Sequence, residues 1–259
     1  MYTAFLVGTA GSGKSVLTNA LSNYLKTNEV DVVTLNMDPG VLRLPYNPDF
    51  DVREYISIDA IMSEFELGPN GALVAAVDLI TSQADMIYEE INDRSPDILI
   101  IDTPGQMELF AFRPTGVIAA KQLGGDNSAL VYLMDTNLCS EPYGLVNSMM
   151  LSLSVQMRFF FPQLNVISKS DLVEPYQLEK IQDWLEDGFK LEDAINEQVS
   201  GEQRELAVKL FRTIEELDLF SETFPVSATI GTNVDILYGK LQTIWQSGED
   251  FQVEDRVIN

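Results

Sequence analysis

Residues 8–15, Gly8-Thr9-Ala10-Gly11-Ser12-Gly13-Lys14-Ser15, match the pattern G-x-x-x-x-G-K-[ST] and stand between an apolar run, Tyr2-Thr3-Ala4-Phe5-Leu6-Val7, and a helical pattern from Val16 to Lys26. A strand, a glycine-rich turn and a helix in that order form a cradle whose backbone N–H groups face an anion. Glycine lets consecutive N–H groups turn toward a phosphate, Lys14 has the length to reach the β- and γ-phosphates, and the Ser15 hydroxyl suits Mg²⁺. The segment from Gly8 to Val16 is therefore the expected nucleotide-binding loop. Its ligand is a nucleoside triphosphate.

Five more short apolar runs follow, at about Val30–Asn36, Asp97–Asp102, Ala129–Asp135, Asn165–Ser168 and Phe224–Ser227, each leading through polar or turn residues toward a helical pattern. Strands alternating with helices predict an α/β fold, a mostly parallel sheet with helices on both faces. In such sheets ligands sit at the carboxyl ends of the strands. One domain over residues 1–247 is expected, with insertions at about 43–95 and, helical and charge-rich, at about 172–223; residues 248–259 form an acidic tail expected to fray.

Composition narrows the chemistry. The 259 residues carry 40 acidic and 16 basic side chains, a formal charge of −24, which disfavours a general nucleic-acid surface because such binding draws on Lys and Arg. There is no histidine, so imidazole bases and Ser-His-Asp triads are excluded, and water must be handled by carboxylates, amides, lysine or tyrosine. A single cysteine, Cys139, rules out an internal disulfide and a cysteine-rich zinc cluster, and fits a reducing cytoplasm. The apolar stretch from Tyr143 to Phe161 contains Asn147, Gln156 and Arg158, so a buried core helix is expected there and no membrane association.

Two carboxylates at the strand ends bear on the phosphates. Asp102, closing Asp97-Ile98-Leu99-Ile100-Ile101-Asp102, is placed to hold the shell of a Mg²⁺, and the following Thr103-Pro104-Gly105 turn places the Gly105 N–H to sense a γ-phosphate. Asp38, in Asn36-Met37-Asp38-Pro39-Gly40, is suited either to polarise the attacking water or to hold the metal. Gln106 and Glu108 lie just past the second turn, where water-orienting groups would sit.

The base is addressed by Ser168-Lys169-Ser170-Asp171, a strand end of the form S-K-x-D. A carboxylate at Asp171 accepts from guanine N1–H and N2–H₂, a pair of donors adenine lacks, while the Lys169 stem covers the ring. Ser168 replaces the more usual Asn or Thr. Further on, Ser227-Ala228 follows another strand and offers a backbone N–H to the guanine O6.

Within the insertion stands Gly68-Pro69-Asn70, ahead of a helical run from Ala72 to Ile91. With G-T-A-G-S-G-K-S, N-M-D-P, D-T-P-G-Q-M-E, S-K-S-D and S-A in this order, the chain resembles the GPN-loop GTPases from Tyr2 to about Trp245. The resemblance implies a P-loop NTPase fold of the signal-recognition/MinD/BioD class, GTP hydrolysis with Mg²⁺, and homodimers or pseudo-symmetric heterodimers. It places the loop that reaches the partner's γ-phosphate region on Gly68, Pro69 and Asn70. It likewise assigns the catalytic acid to Asp38, the metal-shell aspartate to Asp102 and the water-positioning pair to Gln106 and Glu108. Eukaryotic members are linked to RNA polymerase II assembly and nuclear import, and this acidic, histidine-free chain resembles an archaeal member more closely. Beside a GTP-controlled switch, the residues leave open a P-loop kinase that passes the γ-phosphoryl to an acceptor.

Overall fold

The computed structural model describes residues 1–198, 200–217, 220 and 222–255, and of residues 247–255 it describes the backbone alone. Among the described residues seven strands form one sheet: β1 Tyr2–Gly8, β2 Val32–Asn36, β3 Phe50–Asp51, β4 Ile98–Asp102, β5 Ser128–Asp135, β6 Gln163–Ser168 and β7 Phe224–Val226. Their order is β3-β2-β4-β1-β5-β6-β7, and every neighbouring pair is parallel. The near-continuous apolar runs follow from burial of both faces. Along β1, Phe5 and Val7 enter one core cluster while Ala4 and Leu6 enter the other. β5 alternates likewise, with Leu130, Tyr132 and Met134 against Ala129, Val131 and Leu133.

The helices Lys14–Thr27 and Val234–Asp255 cover the face of Ala4 and Leu6; Pro69–Asn92, Pro114–Gly124 and Pro142–Phe159 cover the other. The last of these is the core helix expected near Tyr143, burying Leu145, Val146, Met149, Val155 and Phe159. Among the described residues no helix is long and apolar enough to cross a membrane. In the charge-rich insertion, the helices Pro175–Glu186, Gly188–Gln198 and Gly201–Glu215 send Trp184, Leu191, Ile195, Phe211 and Ile214 into the same cluster as the sheet residues, so the insertion shares one core with the sheet. The acidic stretch after Gly248 continues the final helix to Asp255, and residues 256–259 lie outside the described residues.

Two strand starts shift and one strand is unexpected; β6 begins at Gln163, two residues before the expected Asn165. The second strand begins at Val32, two residues later than expected, because Val30 still belongs to the turn closed by its N–H on the Leu25 carbonyl. β3 has only two residues, too short to carry an alternation, yet it pairs Phe50 with Leu35 and Asp51 with Asn36. The registers Leu6–Asp102, Asn36–Asp102, Gly8–Leu133, Asp135–Ser168 and Ser168–Val226 bring the carboxyl ends of β1, β2, β4, β5, β6 and β7 to one edge.

Candidate functional site

The phosphate loop leaves that edge from β1. Gly8 lies so close to β5 that a Cβ would stand 2.8 Å from the Leu133 carbonyl oxygen and 2.6 Å from Ser12 Oγ, which excludes any side chain. Gly13, at φ +97°, turns the chain into the helix Lys14–Thr27 through a conformation that side-chain-bearing residues avoid. The loop and first helical turn line an open cleft of about 570 Å³ together with Asp38, Arg43, Thr103, Gly105 and Lys169. Lys14 is 6% exposed and folds over the loop, its Nζ donating to the Gly8 and Thr9 carbonyls at 3.1 and 3.0 Å. Burial lowers its pKa, against the opposing pull of Asp102 and Asp38. A buried cation beside an open cleft is poised for an anion.

Asp102 closes β4 at 1% exposure. Its Oδ2 accepts from the Tyr46 hydroxyl at 3.1 Å, while Oδ1 has no hydrogen-bond partner. Burial pushes its pKa up to about 6, although the nearby Ser15 hydroxyl, the charge of Lys14 and the hydrogen bond from Tyr46 favour the carboxylate. An orphaned, desolvated carboxylate oxygen next to the Ser15 hydroxyl fits a hard dication such as Mg²⁺. Among the described residues no three acidic or cysteine side chains cluster as a ready-made metal site, so a cation here would need phosphate oxygens to complete its shell.

The raised pKa has a stability consequence. The folded chain holds the Asp102 proton more tightly than the unfolded chain, so this group's contribution falls as pH rises from about 4 to about 6 and stays low above that, by about 3 kcal/mol. Asp102→Asn should therefore melt at a higher temperature than the parent in nucleotide-free buffer at pH 7.5, and should lose the further rise that Mg²⁺ adds in the presence of GTP. Calorimetry showing a lower melting point, or a retained Mg²⁺ increment, would contradict the assignment.

Asp38 bridges two turns. Its Oδ1 accepts from the Gly40 N–H and its Oδ2 from the Gly105 N–H, both at 2.9 Å. The turn is braced from behind: the Asn36 side-chain amide donates to the Asp38 carbonyl and to Asp51, which pairs with Arg53. Thr103 ties the second turn to β1 through a 2.7 Å hydrogen bond to the Leu6 carbonyl. Asp38 and Gly105 thus meet in the cleft, with the carboxylate on the N–H expected to face the γ-phosphate. Gln106 and Glu108 are exposed at the start of the short helix Met107–Phe110 and are not among the residues lining the cleft.

A second cavity, of about 160 Å³, adjoins the first across Gly13 and Lys169. Val16, Leu17, Leu133, Leu172 and Val226 give it apolar walls, and Ser168, Asp171 and Ala228 stand at it as well. Asp171 Oδ1 accepts from the Ser227 hydroxyl at 2.5 Å, which fixes the carboxylate, and Ser168 donates to the Met134 carbonyl at 3.1 Å. Ser227 is therefore a partner of Asp171 by its side chain, a contact the S-A reading did not anticipate.

The tripeptide Gly68-Pro69-Asn70 caps and begins the helix Pro69–Asn92, with Pro69 in the first turn where its missing N–H costs nothing. All three residues are exposed. Pro69 borders a cleft shared with Pro39, Gly40 and Arg53, whereas none of the three lines the phosphate cleft of its own chain.

The chain matches a family model described as a conserved hypothetical ATP binding protein over residues 6–247. It is 34% identical over 183 residues to GPN-loop GTPase PAB0955 of Pyrococcus abyssi, covering 70% of this chain and 72% of that protein. The chain belongs to the GPN-loop GTPase family. The crystal structure of PAB0955 in its apo form superposes with a TM-score of 0.83 at 29% identity, over 94% of this chain and 97% of the other. GPN-loop GTPase 1 of Dictyostelium discoideum is 29% identical over 239 residues, and of that longer relative the chain spans 59%; of GPN-loop GTPase 1 of Saccharomyces cerevisiae it spans 51%.

Three residues of this GPN-loop family member join the site without having been singled out from sequence. Tyr46 lies in a loop rich in proline and asparagine that has no periodic signal. Arg43, exposed in the same loop, lines the phosphate cleft. Asp135 holds Lys169 through a 2.6 Å ion pair, and it had a signal: it is a strand-end carboxylate like Asp102. Cys139, fully buried with its thiol pushed up to about 12, is no nucleophile.

Proposed function

We propose that the chain is a Mg²⁺-dependent GTPase that works as a homodimer in the cytoplasm, hydrolysing GTP to GDP and phosphate as a switch that controls assembly of a protein client. The observation that supports it best is the continuity of the two cavities: an apolar slot ending in the fixed carboxylate of Asp171 runs past Gly13 into the cleft of Lys14, Ser15 and Asp38. A purine in the slot places its phosphates over the loop. The family model's description names ATP, but a carboxylate at the base edge accepts from guanine's two donors and is repelled by adenine's ring nitrogen lone pair.

In this reading the phosphate loop N–H groups and Lys14 hold the β- and γ-phosphates. Ser15 and Asp102 hold the cation, which neutralises charge developing on the phosphate oxygens. A γ-phosphate arriving at the Gly105 N–H competes with Asp38 for that donor, freeing the carboxylate to orient water; Gln106 and Glu108 join it only if their short helix moves inward. The exposed Asn70, which does not line its own chain's cleft, supports action on a second copy. The resemblance to proteins linked with RNA polymerase assembly makes polymerase subunits the first clients to test.

Competition binding tests the base assignment. GTP should bind at least about a hundredfold more tightly than ATP, the scale of a lost buried hydrogen-bonding pair, and Asp171→Asn should shift the preference toward xanthine nucleotides. Comparable affinities for GTP and ATP would remove the guanine reading. If label from the γ-position appeared on an acceptor, the kinase alternative would replace it.

A further inference from the structure

We infer that Asp135 is a positioning residue for guanine selectivity, which it exerts by holding Lys169 as a fixed wall of the base slot. This rests on the guanine reading above and extends it to a residue outside the S-K-x-D motif. Asp135 is the last residue of β5, and its carboxylate is anchored on one side and extended on the other. Oδ1 accepts from the Asn137 backbone N–H at 2.9 Å and from the Asn137 side-chain amide at 3.1 Å, while Oδ2 receives the Lys169 Nζ at 2.6 Å. The side chain is 15% exposed and that of Lys169 28%, so the pair is partly shielded from water. Although burial favours protonation, these hydrogen bonds keep the Asp135 pKa below the usual carboxylate value, so its carboxylate is ionised at neutral pH.

The geometry of Lys169 shows what is being held. Its backbone is left-handed at φ +59°, in the turn that joins β6 to Ser170–Leu172. From there the stem runs over the phosphate loop, with Cγ and Cε each 3.8 Å from where a Cβ on Gly13 would stand. The stem therefore lies between Gly13 and Asp135 and borders both the slot and the phosphate cleft. A free lysine loses up to about 2 kcal/mol of rotamer entropy on being ordered, and the anchored carboxylate supplies that order before the nucleotide arrives. A fixed wall keeps the purine edge in register with Asp171; a loose one lets a purine tilt away from the carboxylate, a freedom that helps adenine more than guanine. The ion pair also neutralises a second cation beside Lys14, whose own charge is disfavoured by Lys169.

The test is the ratio of ADP to GDP dissociation constants, measured without Mg²⁺ on the full chain. Asp135→Asn preserves an oxygen for the Asn137 N–H but removes the charge; it should weaken GDP about tenfold, the scale of a charge-assisted hydrogen bond, and ADP much less. Lys169→Met, which keeps an apolar stem and needs no change at Asp135's anchor, should reduce the ratio at least as far, and adding Asp135→Asn to it should change the ratio no further. An unchanged ratio in Asp135→Asn, equal losses for both nucleotides, or additive losses in the double variant would overturn the positioning role while leaving a wild-type guanine preference intact. A wild-type chain with no such preference would overturn the guanine reading and this inference together.

Discussion

Lys14→Ala should reduce kcat/KM for GTP hydrolysis by about a thousandfold or more, the cost of removing one preorganised donor aimed at developing phosphate charge, and should do so without lowering the melting temperature of the nucleotide-free chain. The second half follows from burial. Lys14 is 6% exposed and its pKa is lowered, so the fold disfavours its charged form at neutral pH; alanine removes that cost along with two hydrogen bonds to the Gly8 and Thr9 carbonyls. The Thr9 carbonyl is only partly buried, and there water replaces the lost donor. Steady-state kinetics together with calorimetry check both halves. A variant that hydrolyses GTP at the parent rate would show that the loop does not bind phosphate, and one that melts well below the parent would make Lys14 a structural residue.

The second large effect concerns Asn70. Asn70→Ala should retain GDP affinity and lose most turnover, because an uncharged amide that can both donate to phosphate oxygens and accept from water acts where the terminal phosphate is, not where the base is. Its exposure at the start of a 24-residue helix, outside the lining of its own cleft, means that this loss should be shared between chains. Mixed with Lys14→Ala, whose pocket is inactive but whose Asn70 is intact, Asn70→Ala should regain part of its activity in heterodimers. Absence of rescue, with heterodimers shown to form by native mass spectrometry, would assign Asn70 to its own pocket or to the shape of the turn.

The parts of the fold legible in the sequence were those that burial writes into residue type. β1, β4 and β5 are covered on both faces, so their runs are apolar throughout; the phosphate loop needs glycine at Gly8 for contact with Leu133 and at Gly13 for a positive φ, so its spacing is rigid. β3 could not be seen because two residues carry no period, and its place is set by tertiary contact with β2 through Leu35 and Asn36.

The site divides in the same way. Residues on the phosphate loop and at strand ends, such as Lys14, Asp102 and Asp171, lie where a motif or a strand terminus marks them. Tyr46 reaches Asp102 across 56 positions from a loop without pattern, and only the folded chain brings them together. Asp38 is a case between these: the turn was visible, but its grip on the Gly105 N–H depends on the parallel register of β2 and β4, which sets Asn36 beside Asp102. Gln106 and Glu108 follow a motif closely yet face solvent, because the helix that carries them buries Met107, Leu109 and Phe110 instead.

One reaction tests the proposed GTPase activity most directly. With Mg²⁺ and γ-labelled GTP, and with no phosphate acceptor added, the purified chain should release labelled inorganic phosphate and GDP in equal amounts over many turnovers, with ATP giving far less. Equal release from ATP, or GTP left intact until an acceptor is supplied and then found carrying the label, would contradict it.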